Sequence, residues 1–232
     1  MTLLAATQGL LERTYATPSG VDDLGRFVIG DMGYRRLLRD HDPIQVVNSG
    51  IRVNVPNHGM GDSPRVLVRP QRRGMVLSIY FPDALIARLE TRPPLAVLDD
   101  GNVDDFADFV EEIDHFLVLY DGLCRGRETH LLALETRANV SKALVVSHFL
   151  GRLSGRRRLS PDQRQWVHYH LFGKKRFNDP DPVVRGRYRE ARRFALRLIE
   201  RLEGLSAHRR IRELRRWNNL PAQAKMRELA AS

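Results

Sequence analysis

One cysteine, Cys124, is all that this 232-residue chain contains, so no disulfide can form within it and a reducing compartment suits it. Long apolar runs are also missing. None approaches the ~20 residues that a membrane-spanning helix needs. The opening MTLLAATQGLL has no basic segment ahead of a short apolar stretch, which makes a poor export signal. These absences predict a cytoplasmic protein with no membrane partner. Catalytic signatures are lacking as well. There is no Gly-x-Ser-x-Gly elbow and no Cys-x-x-Cys pair, and Gly30-Asp31-Met32-Gly33 lacks the spacing and the Lys-Ser/Thr of a phosphate loop. No helix-turn-helix or RNA-recognition signature occurs, and no cofactor is expected. Internal repeats are absent.

Lysine is scarce. Lys142, Lys174, Lys175 and Lys225 are the only four among 38 basic residues, and the rest are arginine. An arginine preference of this kind also follows from GC-rich coding, without any function. The charge is unevenly placed. Residues 151–232 carry 22 Lys/Arg against 8 Asp/Glu, a net of +14, whereas residues 1–150 carry 16 against 20, a net of −4. Such asymmetry points to a polyanionic partner for the basic part, either nucleic acid or an acidic protein.

The hydrophobic content of 42% is that of a folded chain, and the length is enough to bury a core. The patterning predicts an α+β protein. A small mixed, mainly antiparallel β part over residues 1–98 precedes an all-helical part over residues 99–232, whose segment 151–232 is basic. In the first part, residues 2–15 read as a helix, 26–29 as a short strand and 34–39 as a helical turn. Residues 43–55 hold two β-branched runs around the turn residues Asn48-Ser49-Gly50. Residues 57–64 read as a Gly- and Asn-rich loop. Residues 65–81 read as a hairpin turning at 70–74, and 83–90 as a helix ended by Pro93 and Pro94.

Two long helices follow. In the first, Asn102 is placed to cap, with Asp105 three residues on. Phe106, Phe109, Val110, Ile113, Phe116, Leu117 and Tyr120 recur at helical spacing, and Gly122 is the expected stop. The second, about 128–150, carries two opposed polar stripes. His130, Arg137, Ser141 and His148 form one; Glu128, Glu135, Asn139 and Lys142 form the other. Both cannot face water if the flanks pack, so one is expected to be enclosed. Glu135, Asn139 and Lys142 are the expected set, with Asn139 bridging the other two.

Three function classes follow. The first is a non-enzymatic binding or adaptor protein whose basic helices engage nucleic acid or another polyanion. Its contact residues would be Arg156, Arg157, Arg158, Lys174, Lys175, Arg176, Arg185, Arg189, Arg192 and Arg193. Trp166, Tyr169, Phe172 and Phe177 lie near these clusters as stacking groups. The second is a metal-assisted enzyme. Glu112 and His115 have the Glu-x-x-His spacing of carboxylate metal helices, and Glu135, Asn139 and Lys142 complete its candidate site. On the helical wheel, however, Glu112 falls at the border of the core face and His115 points away from it, so a solvated acidic face is the competing expectation. The third is a structural or oligomerisation protein. Val184, Tyr188, Ala191, Ala195, Leu198 and Leu202 form a heptad seam that suits a homodimer or the closure of the protein's own core. Ser160-Pro161-Asp162-Gln163 predicts a capped helix start, and Asp181-Pro182 another. A final basic helix is expected over 206–232, interrupted by Pro221.

Overall fold

The computed structural model describes residues 2–39, 45–46, 63–71, 74–156, 158–174 and 180–231. Most of the two β-branched runs of residues 43–55, the 57–64 loop, Arg157, Lys175, Arg176 and Phe177 lie outside the described residues.

The chain is an α+β protein with a small N-terminal sheet and a helical C-terminal part. Helix α1 (Leu3–Tyr15) starts at Thr2, whose hydroxyl accepts from the Ala5 amide. A 3₁₀ turn over Leu24–Phe27 leads into β1 (Val28–Ile29), followed by α2 (Asp31–Arg39) and β2 (Gln45–Val46). The hairpin is β3 (Arg65–Gln71) with β4 (Gly74–Tyr80), in antiparallel register from Arg65 opposite Tyr80 to Gln71 opposite Gly74. The sheet order is β1-β4-β3-β2. Two of the three pairings are antiparallel, but β1 runs parallel to β4, which makes the sheet mixed. Val66, Leu77 and Ile79 turn one face of the hairpin into the core.

Eleven residues, 92–102, with the proline pair among them, separate α3 (Asp83–Thr91) from the helical part. There α4 (Val103–Cys124) and α5 (Leu131–Leu153) form an antiparallel pair. Asn102 does not cap α4 with its side chain. Its Nδ2 instead donates to the carbonyls of Arg92 and Val97, both at 2.8 Å, and so locks the preceding loop, while Asp105 pairs with Arg88. Gly122 does not end α4 either. The stop is Gly126, at φ +62°, where the Arg127 amide returns to the Gly122 carbonyl (2.8 Å) and the Gly126 amide to Leu123 (3.2 Å). Helix α5 ends in the same way at Gly155, at φ +64°.

The remaining helices close around α5. Helix α6 (Pro161–His168) begins in the expected capping box of Ser160 and Gln163, then widens into a π turn over Tyr169–Gly173. Helix α7 (Pro182–Glu203) runs along α5, and its heptad residues Val184, Ala191, Ala195, Leu198 and Leu202 are buried there, inside the same chain. Helix α8 (Ala207–Asn219) packs on α1, and α9 (Ala222–Ala230) on α5 and α7. The buried apolar side chains form one main cluster that runs from Ala6 in α1 through the hairpin and α4 to Leu229 in α9. No helix among the described residues is long and apolar enough to cross a membrane.

Candidate metal centre

Covering α5 from all sides has a direct consequence for its polar residues. The middle of each stripe is enclosed: Arg137 and Ser141 on one and Glu135 and Lys142 on the other are buried, whereas Glu128, His130 and His148 are exposed, and α1, α4, α7 and α9 all pack on α5.

On the first side, Arg137 and Ser141 meet Asp114 of α4. The Ser141 hydroxyl donates to Asp114 Oδ1 (2.9 Å), Tyr15 of α1 shares a 2.7 Å hydrogen bond with Ser141, and one guanidinium nitrogen of Arg137 lies 3.2 Å from Asp114. The same guanidinium stacks 4.1 Å above the Tyr15 ring. This network pins α1 to the α4–α5 pair. Burial, then the Asp114 charge, raise the Tyr15 phenol well above its ordinary pKa, so it remains a donor.

The second side brings together Glu112 and His115 of α4 with Glu135 of α5, and adds Glu111. The wheel expectation of an exposed Glu112 and His115 is overturned. His115 is 0% exposed, Glu135 1% and Glu112 2%. The wheel assumed one core face, whereas α4 is covered by the sheet and α3 on one side and by α1 and α5 on the other. His115 Nδ1 lies 3.7 Å from Glu112 and Nε2 lies 3.9 Å from Glu135, and neither ring nitrogen makes a hydrogen bond. One oxygen of Glu135 is likewise without a hydrogen bond.

Ligand atoms from Glu111, His115 and Glu135 all lie within 4.8 Å of one another. Three donors about 2.0–2.2 Å from a common ion can be no more than about 4.4 Å apart, so the cluster needs only a small inward adjustment to hold one. Lys142, buried, forms an ion pair with Glu111 rather than with Glu135. Asn139 does not bridge the stripe; its amide donates to the Glu135 backbone carbonyl at 2.9 Å, within its own helix.

The protonation states follow from this crowding. For Glu135, burial comes first and lifts its pKa to about 7, against the lowering pull of His115 and Lys142. For His115, burial alone would lower the imidazole pKa. Glu112 beside Nδ1, with Glu135 and Glu111, overcomes this and raises it to about 9. Tyr188 of α7 faces the same cluster, and burial with the charges of Glu135 and Glu111 raises its phenol pKa.

Sequence reasoning missed two of these groups. Glu111 stands four residues before His115, a spacing that places both on one helix face. Tyr188 was absorbed into the heptad seam.

The polyanion candidates are scattered. Arg156, Arg158, Arg189 and Arg193 are exposed, and Arg193 pairs with Glu190. Arg185 and Arg192 are half-buried. Lys174 is held by Asp104 (2.6 Å) and His170. Among the aromatics, Phe172 is buried, Trp166 donates to Asp100 (2.7 Å) and packs on His170, and Tyr169 is exposed. Cys124 is exposed at the end of α4. Comparison with known protein families, curated proteins and solved structures gives no match for this chain.

Proposed function

We propose that this is a metal-binding protein, whose Glu111, His115 and Glu135 hold a divalent first-row transition ion between α4 and α5. One observation carries the reading. A fully buried imidazole with neither nitrogen hydrogen-bonded faces carboxylates from two helices. Buried polar groups in folded proteins are otherwise satisfied, and an unsatisfied one costs about 1–3 kcal/mol. A bound cation takes up Nε2 and can take up the Glu135 oxygen that has no hydrogen bond.

The roles divide naturally. Nε2, on the Glu135 side, is the ligand nitrogen. Nδ1, on the Glu112 side, carries the proton, and a small approach by Glu112, now 3.7 Å away, would give it the outer carboxylate of a metal-bound histidine. Lys142 orients Glu111. One nitrogen and two carboxylate oxygens suit Zn²⁺, Fe²⁺ or Mn²⁺ over softer ions. Glu111, with 17% of its side chain exposed, is the side from which an ion enters. His115 and Glu135 are sealed, so the site favours holding an ion over turning over a substrate.

Elemental analysis of chain purified without chelator tests this. Stoichiometric metal is expected in the wild type. Glu135→Gln and His115→Gln are each expected to lose it while keeping helical circular dichroism. Wild type that is free of metal and takes up none of the three ions in titration would remove the reading.

A second reading, a polyanion-binding adaptor for nucleic acid or an acidic protein, is favoured by the arginines that have no partner among the described residues. Arg156, Arg158, Arg189, Arg209 and Arg212 are exposed in this way. Anisotropy titrations against duplex DNA, single-stranded RNA and an acidic polymer at two salt concentrations test it. Absence of binding near physiological ionic strength would remove it.

A further inference from the structure

The turn between α4 and α5 borders a cleft of about 640 Å³ that reaches across to the α8–α9 junction. Its size is that of small-molecule sites. The N-terminus of α5 opens into it. His130 supplies no side-chain cap there, so the first-turn amides of this 23-residue helix remain open donors.

Four cations line the same space. Arg137 is nine-tenths buried, with 9% of its side chain exposed. Asp114 engages one of its terminal nitrogens, and its Nε has no hydrogen-bond partner. Lys225 holds its ammonium 5.3 Å from the Trp217 ring centre and makes no hydrogen bond or ion pair among the described residues. Arg127 has no partner among them either. Arg125, by contrast, is engaged by Asp121 at 2.6 Å. Val118, Ala133, Leu134 and Leu220 supply an apolar wall.

We propose that this cleft binds a small phosphate monoester, its phosphate at the N-terminus of α5 between Arg127, Arg137 and Lys225, and its organic part against the apolar wall. Open amides and cations lining one cleft match the several acceptor oxygens of a phosphate dianion. A carboxylate, with two oxygens, would leave donors unused. The acids Asp121 and Glu128 on the lining oppose an extended polyanion, and among the described residues no tryptophan, tyrosine or phenylalanine lines the cleft to stack a base. A compact phosphorylated molecule is therefore the better fit than a nucleotide. The inference is independent of the metal centre, which lies on the opposite stripe of α5.

Calorimetric titration of the full chain with inorganic phosphate, glycerol 3-phosphate and AMP, near physiological ionic strength, tests it. Saturable one-site binding is expected for glycerol 3-phosphate, more weakly for phosphate. Lys225→Met and Arg127→Gln are each expected to weaken it by about tenfold or more, the loss of one charge-assisted contact. The double replacement Arg156→Gln/Arg158→Gln is expected to leave it unchanged. Arg137 is avoided because its loss would strand Asp114. No saturable heat from any of the three, in protein with a native melting transition, overturns the proposal. So does binding that Lys225→Met and Arg127→Gln leave untouched, or AMP binding more tightly than glycerol 3-phosphate.

Discussion

At the scale of single residues, α5 is held by charges that have little access to water. Asp114 is the most exposed to mutation in this sense, because Arg137 and Ser141 both depend on it. Asp114→Ala leaves a buried guanidinium without its counter-charge, and is expected to destabilise by about 3–5 kcal/mol. Urea unfolding should show it as a fall in midpoint at constant slope. Tyr15→Phe removes one hydrogen bond and leaves the ring stacked on Arg137. It should cost only about 1 kcal/mol. Lys225 gives a pH prediction. Burial first, then Arg137 and Arg127, pull its pKa down to about 8, against the opposing pull of Asp114. It shares the cleft with Asp121, Glu128 and His130 as well. Because the folded value lies below the unfolded one, the ammonium is present below about pH 8 and lost above it. Phosphate monoester affinity should therefore fall as pH rises through 8, and Lys225→Met should flatten that fall. Of the metal centre, sequence spacing brought Glu112, His115 and Glu135 into consideration, together with Lys142. Glu135 and Lys142 were expected to be enclosed and are buried; what spacing could not reveal was the burial of Glu112 and His115, since a helical wheel has no knowledge of how many neighbours a helix acquires. Asn139, half-way between Glu135 and Lys142 on the wheel, satisfies itself on its own backbone instead.

At the scale of elements, starts were more legible than stops. Ser160 with Gln163, and Asp181 with Pro182, are local signals whose hydrogen bonds close within three residues, and the structure shows both. A helix end depends on which glycine takes positive φ, and the segment after α4 offered two. Gly122 is helical in backbone, and a Cβ there would stand 3.3 Å from the Arg127 carbonyl that folds back over it; Gly126 takes the left-handed conformation. Gly126→Ala is expected to cost about 1 kcal/mol, the price of a side chain in that region. Gly204→Ala, at φ −69° with open space around it, should be neutral or slightly stabilising. Paired thermal melts of the two variants would separate the backbone effect from any general intolerance of alanine. The parallel pairing of β1 with β4 was not legible at all. Two residues of strand have no periodicity, and their direction is set by a chain path through α2 and the hairpin.

At the scale of the molecule, the net charge of the C-terminal region overstates what a partner meets. Much of the arginine there acts as internal mortar. Arg215 donates to the Thr14 and Arg13 carbonyls at the end of α1, Arg210 to carbonyls at the end of α7, and Arg197 to those of Leu229 and Ala230 at the end of α9. Each cation sits where the helix dipole is negative. Arg201 and Arg216 pair with Glu213 and Glu228, which ties α7, α8 and α9 together. Contacts of this kind join residues up to 202 positions apart, so composition cannot distinguish them from free surface charge. Two groups of arginine should therefore respond differently. Replacing Arg156, Arg158, Arg209 and Arg212 with glutamine should leave the melting temperature unchanged, while lowering polyanion affinity and flattening its salt dependence. Replacing Arg201 and Arg216 should lower the melting temperature at neutral pH. The Arg216 hydrogen bonds hold the carboxyls of Glu213 and Glu228 below their ordinary pKa. Depressed carboxyls stabilise the fold above the unfolded value, and that contribution is lost as pH falls through the folded one. The difference in melting temperature between wild type and the Arg201/Arg216 variant should consequently shrink as the solution is acidified below about pH 4.5. A difference that persists undiminished in acid would mean that these arginines act through packing of their stems and not through the four-charge network.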